Sequence, residues 1–147
     1  MGCPRGSPPP RLGRIVIVVD ASALAAFLLK EPGWERLAQY IKRSVSVDMV
    51  AKEVANTIWK AHVRGLVTAD VAERLFSILS SLLEKNVRLE PESAYLLDAF
   101  HIAVAHRITV YDALYVAVAQ KRGAALLTLD AQQREVAKKL GIDIIAP

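Results

Sequence analysis

Five short, mainly apolar runs are the feature of this sequence that most restricts its fold. Both sides of a strand in the middle of a parallel sheet are covered, so such strands appear as apolar runs rather than as alternating patterns. Longer segments with helical periodicity separate the runs, and this alternation predicts an α/β protein with a three-layer α/β/α architecture and right-handed crossovers. The runs are Ile15–Val19, Val45–Val47, Val87–Leu89, Ala125–Thr128 and Ile142–Ile145.

Helical patterns fill the segments between these runs. In one of them Val50, Val54 and Ile58 recur every four residues, which is typical of one buried helix face. Gly123 and Gly141 end two helices just before strands, as C-terminal caps do. The predicted helices span about residues 22–30, 34–43, 49–64, 68–84, 92–105, 110–122 and 131–140.

Composition limits the possible functions. Cys3 is the only cysteine, so the sequence has neither a disulfide framework nor a Cys/His zinc cluster, and a reducing cytoplasm is the expected location. No transmembrane helix is predicted, because charged residues interrupt the longest apolar stretches. A net charge of +4 weakly favours an anionic partner, although a solvated basic surface explains it equally well.

The first residues differ in composition from the rest of the chain. The opening MGCPRGSPPPRLGR contains glycines, three consecutive prolines and several arginines, and it lacks the apolar core of a signal peptide. We therefore expect a flexible tail over residues 1–13 and a single domain over residues 14–147.

Four carboxylates occupy positions that a parallel sheet would bring together. Asp20 directly follows one predicted strand, Asp130 follows another, and Glu53 and Asp112 lie near the starts of predicted helices. The carboxyl ends of parallel strands form one edge, where α/β proteins bind their ligands. Two carboxylates about 4 Å apart repel by roughly 4 kcal/mol at an effective dielectric near 20, so a cluster needs protons or a cation. Oxygen ligands without His or Cys favour Mg²⁺ or Mn²⁺, and water bound to such an ion can attack phosphorus.

Each carboxylate also has a simpler explanation as a structural residue. Asp20 suits the N-cap of a helix. Thr109 with Asp112, and Asp130 with Gln133, have the spacing of capping boxes. Glu53 fits an ordinary exposed helix glutamate. Taken one residue at a time, the sequence leaves these explanations open.

Several blocks of sequence resemble the PIN-domain ribonucleases, and most closely the VapC-type toxins of prokaryotic toxin–antitoxin pairs. The blocks are VVDASAL, VAKEVANTIWK, TVYDALYVAVAQKRGAALLTLD and the short terminal GIDII, in this order over about residues 14–147. The resemblance implies a five-stranded parallel sheet with helices on both faces. It also implies a Mg²⁺- or Mn²⁺-dependent endoribonuclease that cleaves single-stranded RNA with a metal-activated water.

The resemblance also implies roles for individual residues. Asp20 and Asp112 match the direct metal ligands of the family, and Glu53 and Asp130 complete its acidic quartet. The supporting positions are Ser22 and Thr128, whose hydroxyls would hydrogen-bond the carboxylates, and Asn56, which shares a helix face with Glu53.

Two protein partners follow from the same resemblance, a small antitoxin and a second copy of the chain. The apolar face of the second to fourth helices is the expected docking groove for the antitoxin, with Trp34, Trp59 and Phe76 as candidate anchors. Trp59 lies next to Ile58 and is more easily explained as a core residue. Basic residues expected near the RNA are Arg36, Lys42, Arg43, Lys52, Lys60 and Arg64.

Three other functions compete with this one. A PIN-like module could bind RNA without cleaving it, although the complete quartet speaks against that. A phosphotransfer enzyme with Asp20 as nucleophile would be expected to carry the D-x-D motif of haloacid-dehalogenase-like enzymes, and Ser22 stands at the second position. Nucleotide binding would need a glycine-rich phosphate loop, and the sequence contains none.

Overall fold

The computed structural model describes residues 15–147 and contains one sheet of five parallel strands. The strands occur in the order β3-β2-β1-β4-β5, and helices cover the sheet on both faces. The predicted three-layer α/β/α fold is confirmed. The strands are β1 (Ile17–Val19), β2 (Ser44–Val47), β3 (Val87–Glu90), β4 (Ala125–Leu127) and β5 (Ile144–Ile145).

Seven α-helices connect the strands within the described part of the chain. Two predicted helices, 34–43 and 92–105, are wrong as single elements, because each begins with a short 3₁₀ segment, Trp34–Leu37 or Glu92–Ala94. Tyr95, which follows the second 3₁₀ segment, is buried, and its hydroxyl donates a hydrogen bond to Glu90 of β3. The helices are α1 (Ala21–Leu28), α2 (Ala38–Ile41), α3 (Val50–Val63), α4 (Ala69–Lys85), α5 (Leu96–His106), α6 (Val110–Arg122) and α7 (Ala131–Lys139).

The helix α6 forms the centre of the core. Every residue from Ala113 to Ala119 is buried, as expected for a helix that is apolar on nearly all sides. It packs against β1, β2 and β4, so its first turn is held close to the ends of the central strands.

The pairing of β1 with β4 creates a switch point at the carboxyl edge of the sheet. The chain builds outward from β1 to β2 and β3 on one side, and then returns to place β4 on the other side of β1. Val19 pairs with Leu127, and the N–H of Asp20 donates to the carbonyl of Leu127 at 3.2 Å. The residues that follow the two strands, Asp20 and Thr128, therefore lie side by side where such folds bind ligands.

The expected flexible tail over residues 1–13, including Cys3, lies outside the described residues. Among residues 15–147 no single helix combines the length and the apolar composition required to cross a membrane. Only α5 and α6 taken together meet that test, and they form a pair bent by 114°.

Candidate active site

Asp20 lies at the switch point and is almost completely buried, with 1 % of its surface exposed. It caps α1 by accepting a hydrogen bond from the N–H of Ala23 at 3.0 Å. A cap requires only that bond, yet the same carboxylate also accepts from the hydroxyls of Ser22 (2.8 Å) and Thr128 (2.6 Å). Burial raises the pKa of Asp20 to about 6, although these three hydrogen bonds oppose the shift.

The hydroxyls of Ser22 and Thr128 connect the ends of β1 and β4. Their oxygen atoms are 3.3 Å apart. Ser22 accepts from the N–H of Leu129 at 2.9 Å, and Thr128 accepts from the N–H of Asp130 at 3.0 Å. The loop that carries Asp130 is thereby tied to the carboxylate of Asp20.

Asp112 and Asp130 meet at the first turn of α7. Asp130 caps this helix by accepting from the N–H of Gln133 at 2.9 Å, and the side-chain Nε2 of Gln133 donates to Oδ1 of Asp112 at 3.1 Å. The cap of α6 is the hydroxyl of Thr109, which accepts from the N–H of Asp112 at 3.2 Å. The helix start therefore uses the backbone of Asp112 and leaves its carboxylate for the contact with Gln133.

Glu53 lies in the first turn of α3 and is partly buried. The hydroxyl of Tyr115, a buried residue of α6, donates to its Oε1. Tyr115 follows Asp112 by three residues, so both lie on one face of α6. This helix face therefore contacts Glu53 and also presents Asp112.

The charges of the four carboxylates act on one another. Burial is the main cause that raises the pKa of Glu53 and of Asp112. The charge of Asp112 adds to the rise at Glu53, and the charge of Asp130 adds to the rise at both Asp20 and Asp112. All four acids named from the sequence thus belong to one electrostatic cluster, in which ionisation of Asp20, Glu53 and Asp112 is costly.

The conformation of these side chains is one of hydrogen bonding rather than of ion coordination. Among residues 15–147, no three His, Cys, Asp or Glu side chains are placed as a common set of metal ligands. The carboxylates of Asp20, Glu53 and Asp112 each accept a hydrogen bond from a neighbouring side chain.

The donor chemistry of the cluster fits a hard divalent cation. The four carboxylates supply only oxygen atoms, and their repulsion would fall if a cation lay among them. A buried acceptor, Oε1 of Gln133, also lacks a hydrogen-bond partner in the described structure.

A cleft of about 420 Å³ opens beside the acids. Ser22 and Glu53 line it together with Asn56, which is exposed, and Lys60. A larger cavity of about 560 Å³ lies at the opposite edge, where the strands begin, and its lining includes Arg43. The expectation that Arg43 and its neighbour Lys42 lie near the acidic pocket is therefore wrong, since both directly precede β2.

Two residues of this site were not predicted as site residues. The sequence motifs do not indicate Tyr115, and they indicate Gln133 only as the capping partner of Asp130. Each follows an acid of the quartet by three residues on a helix. This three-residue spacing is the sequence signal for both residues, because it places each side chain on the same helix face as the acid that precedes it.

Two of the three candidate anchors of the docking groove lie together, and the third does not. Trp59 and Phe76 are 57 % and 53 % exposed, and both line a surface groove of about 380 Å³ between α3 and α4. The interpretation of Trp59 as a core residue is therefore wrong. Trp34 packs edge-on against Phe27, with 5.7 Å between the ring centroids, and is not among the residues that line this groove.

Comparison with known proteins identifies the family of the chain. The sequence matches the PIN domain over residues 17–139. It is 40 % identical over 122 residues to Ribonuclease VapC3 of Pyrobaculum aerophilum, a match that covers 81 % of this chain and 92 % of that protein.

Two solved structures share the fold. One is PAE2754 from Pyrobaculum aerophilum, with a TM-score of 0.66 and 27 % identity over 88 % of this chain and 83 % of that one. The other is FitAcB from Neisseria gonorrhoeae, with a TM-score of 0.61 and 16 % identity over 90 % of this chain and 98 % of that one. The chain belongs to the PIN-domain family, as a VapC-type ribonuclease.

Proposed function

We propose that this chain is a Mg²⁺- or Mn²⁺-dependent endoribonuclease that cleaves single-stranded RNA, and that it is the toxin of a toxin–antitoxin pair. The observation that carries the proposal is the meeting of Asp20, Glu53, Asp112 and Asp130 around one edge of the sheet. Carboxylates from four separate parts of the chain share this edge. Capping accounts fully for the side-chain hydrogen bond of Asp130, but not for those of Asp20, Glu53 and Asp112.

In this proposal Asp20 and Asp112 hold the cation directly, and Glu53 and Asp130 complete its environment through water or a second ion. A divalent ion at this place supplies an activated water and stabilises negative charge on the phosphate. The hydroxyl of Thr128 fixes the orientation of the Asp20 carboxylate. No histidine is needed for the reaction.

The cleft beside Glu53 is the proposed binding place of the RNA strand. Lys60 lines it and can neutralise a phosphate next to the cleaved bond, and Asn56 offers an amide to the substrate. In-line attack of water on phosphorus leaves a 5′-phosphate on one product and a 3′-hydroxyl on the other. The single cysteine and the RNA substrate agree with action in the cytoplasm.

The apolar surfaces support two protein partners. The groove that contains Trp59 and Phe76 suits an apolar segment of an antitoxin. On α5, Leu97, Phe100 and Val104 form an exposed apolar stripe with helical spacing, and a second copy of the chain would cover it.

The test of the catalytic proposal uses labelled single-stranded RNA with Mg²⁺, with Mn²⁺ and with EDTA. Asp20→Asn and Asp112→Asn should each lower the cleavage rate by at least about 100-fold, because loss of a direct metal ligand should cost no less than loss of an outer-shell partner. Asp98→Asn is the matched control, since Asp98 is a half-buried aspartate of α5 that lies outside the cluster and pairs with Lys121.

The result also separates the competing interpretations. Cleavage that persists in both variants or in EDTA would contradict the proposal. RNA binding without cleavage by the wild-type protein would favour the non-catalytic binding module.

A further inference from the structure

Gln133 is a buried polar side chain that contacts two of the four acids. Only 2 % of its surface is exposed. Its backbone N–H donates to Asp130 and its side-chain Nε2 donates to Asp112, at 2.9 and 3.1 Å. Its Oε1 is buried and has no hydrogen-bond partner among the described residues.

The neighbouring carboxylate determines which way the amide of Gln133 points. An ionised carboxylate only accepts hydrogen bonds, so Nε2 must face Asp112. The reverse orientation would bring two acceptors together. The unpartnered Oε1 is therefore the consequence of holding Asp112.

This arrangement costs stability in the protein alone. A buried acceptor without a partner lowers the stability of the folded protein, because no hydrogen bond replaces the water that it lost. The nearby positions of α7 that face the core carry Val136 and Ala137, so an apolar residue would suit position 133 as far as packing is concerned. A polar residue that lowers stability at this place thus indicates that its hydrogen bond to Asp112 has a use other than packing.

We propose that Gln133 is a positioning residue of the metal site. Its Nε2 holds the Asp112 carboxylate in the orientation that would bind the cation. Residues that hydrogen-bond a metal ligand in this way commonly set the metal affinity of a site. The inference rests on the proposed function, because it requires a cation at the acidic cluster.

The test measures Mn²⁺ binding by the full chain, from the electron paramagnetic resonance signal of free Mn²⁺ during a titration. Gln133→Met keeps a side chain of similar length without polar hydrogen-bonding groups, and it should weaken Mn²⁺ binding by about 10- to 100-fold. The matched control is Gln132→Met, since Gln132 is the exposed neighbour on the same helix and should bind Mn²⁺ like the wild type.

A second measurement, thermal unfolding in EDTA, separates positioning from a purely structural role. The unfolding temperature of Gln133→Met should change little, because the lost bond to Asp112 is offset by removal of the unpartnered acceptor. Gln133→Leu, a second apolar replacement, should behave in the same way.

Equal Mn²⁺ affinity in the wild type and in Gln133→Met would overturn the role of Gln133 and leave the proposed function intact. A variant that loses only stability, or that fails to fold in EDTA, would also overturn that role. A wild-type protein that binds no Mn²⁺ would instead contradict the proposed function, and with it this inference.

Discussion

The buried carboxylate of Asp20 makes stability and function oppose each other at a single residue. Its pKa in the folded protein is about 6, against an ordinary value of 3.8, and burial is the main cause. Above pH 6 the folded protein therefore carries an ionised group that the unfolded chain would accommodate more easily. A cation at the acidic cluster would remove this disadvantage.

We expect the metal-free protein to become more stable as the pH falls from 7 to 5. At a pH between 3.8 and about 6, Asp20 binds a proton in the folded protein but not in the unfolded chain. The free energy of unfolding therefore rises as the pH falls through this range. The full pKa difference corresponds to about 3 kcal/mol, of which about 1 kcal/mol falls between pH 7 and pH 5. Urea denaturation in EDTA at pH 7, 6 and 5 measures it.

Asp20→Asn is the control for this prediction. The variant keeps a side-chain oxygen that accepts hydrogen bonds but has no proton to gain, so its stability should depend less on pH than that of the wild type. The prediction is contradicted if, from pH 7 to pH 5, the free energy of unfolding of the wild type rises no more than that of the variant.

Tyr115 provides a second prediction at the residue scale. Its hydroxyl donates to Glu53 in a buried position, so Tyr115→Phe leaves that carboxylate without its side-chain donor. We expect a loss of about 1.5–3 kcal/mol in the free energy of unfolding, which is typical of hydrogen bonds to charged groups, together with slower RNA cleavage. Urea denaturation and a cleavage assay measure the two effects.

Tyr111→Phe is the matched control on the same helix, since Tyr111 is 62 % exposed. Equal effects of the two substitutions would show that the bond to Glu53 does not matter.

The sequence indicates the four acids, and the family resemblance implies the hydroxyls of Ser22 and Thr128 that hydrogen-bond Asp20, but neither indicates the side-chain partners of Glu53 and Asp112. Asp20 and Asp130 could be named because Asp20 directly follows a strand and Asp130 lies in the loop after another. Tyr115 and Gln133 could not be assigned, since a residue three positions after an acid is equally typical of a buried helix face. The contacts of α6 with α3 and of α7 with α6 decide which partner each side chain finds.

At the scale of the elements, periodicity predicted the long helices well and the short ones poorly. The segments 34–43 and 92–105 have helical composition, yet each begins as a 3₁₀ turn. Gly33 adopts a left-handed conformation (φ 88°) just before the first of them, and the buried ring of Tyr95 interrupts the second. Such breaks depend on packing against the rest of the fold, which a local pattern does not contain.

The exposed stripe on α5 leads to a prediction about assembly. Phe100→Glu places a charge in the middle of the apolar surface formed with Leu97 and Val104, so a dimer that buries this stripe should dissociate. Sedimentation equilibrium should show a dimer for the wild type and a monomer for the variant.

Leu66→Glu is the control for this experiment, because Leu66 is 74 % exposed and lies outside α5. A variant at Phe100 that remains dimeric would show that the stripe is not the interface between copies.

At the scale of the whole molecule, the strand order creates the site. Asp20 and Thr128 are 108 positions apart in sequence, yet their side chains share a hydrogen bond because β1 and β4 are neighbours. The alternation of strands and helices predicts a parallel sheet and one edge for all strand ends. It does not predict which strands are adjacent, because several orders satisfy the same right-handed crossovers.

The claim that an edge of the sheet gathers carboxylates around a divalent ion is tested most directly by crystals grown with Mn²⁺. Anomalous diffraction should show one strong peak, or two, in contact with carboxylate oxygens of Asp20 and Asp112. A protein saturated with Mn²⁺ that shows no peak at these residues, or a peak only at a distant surface group, would contradict the account.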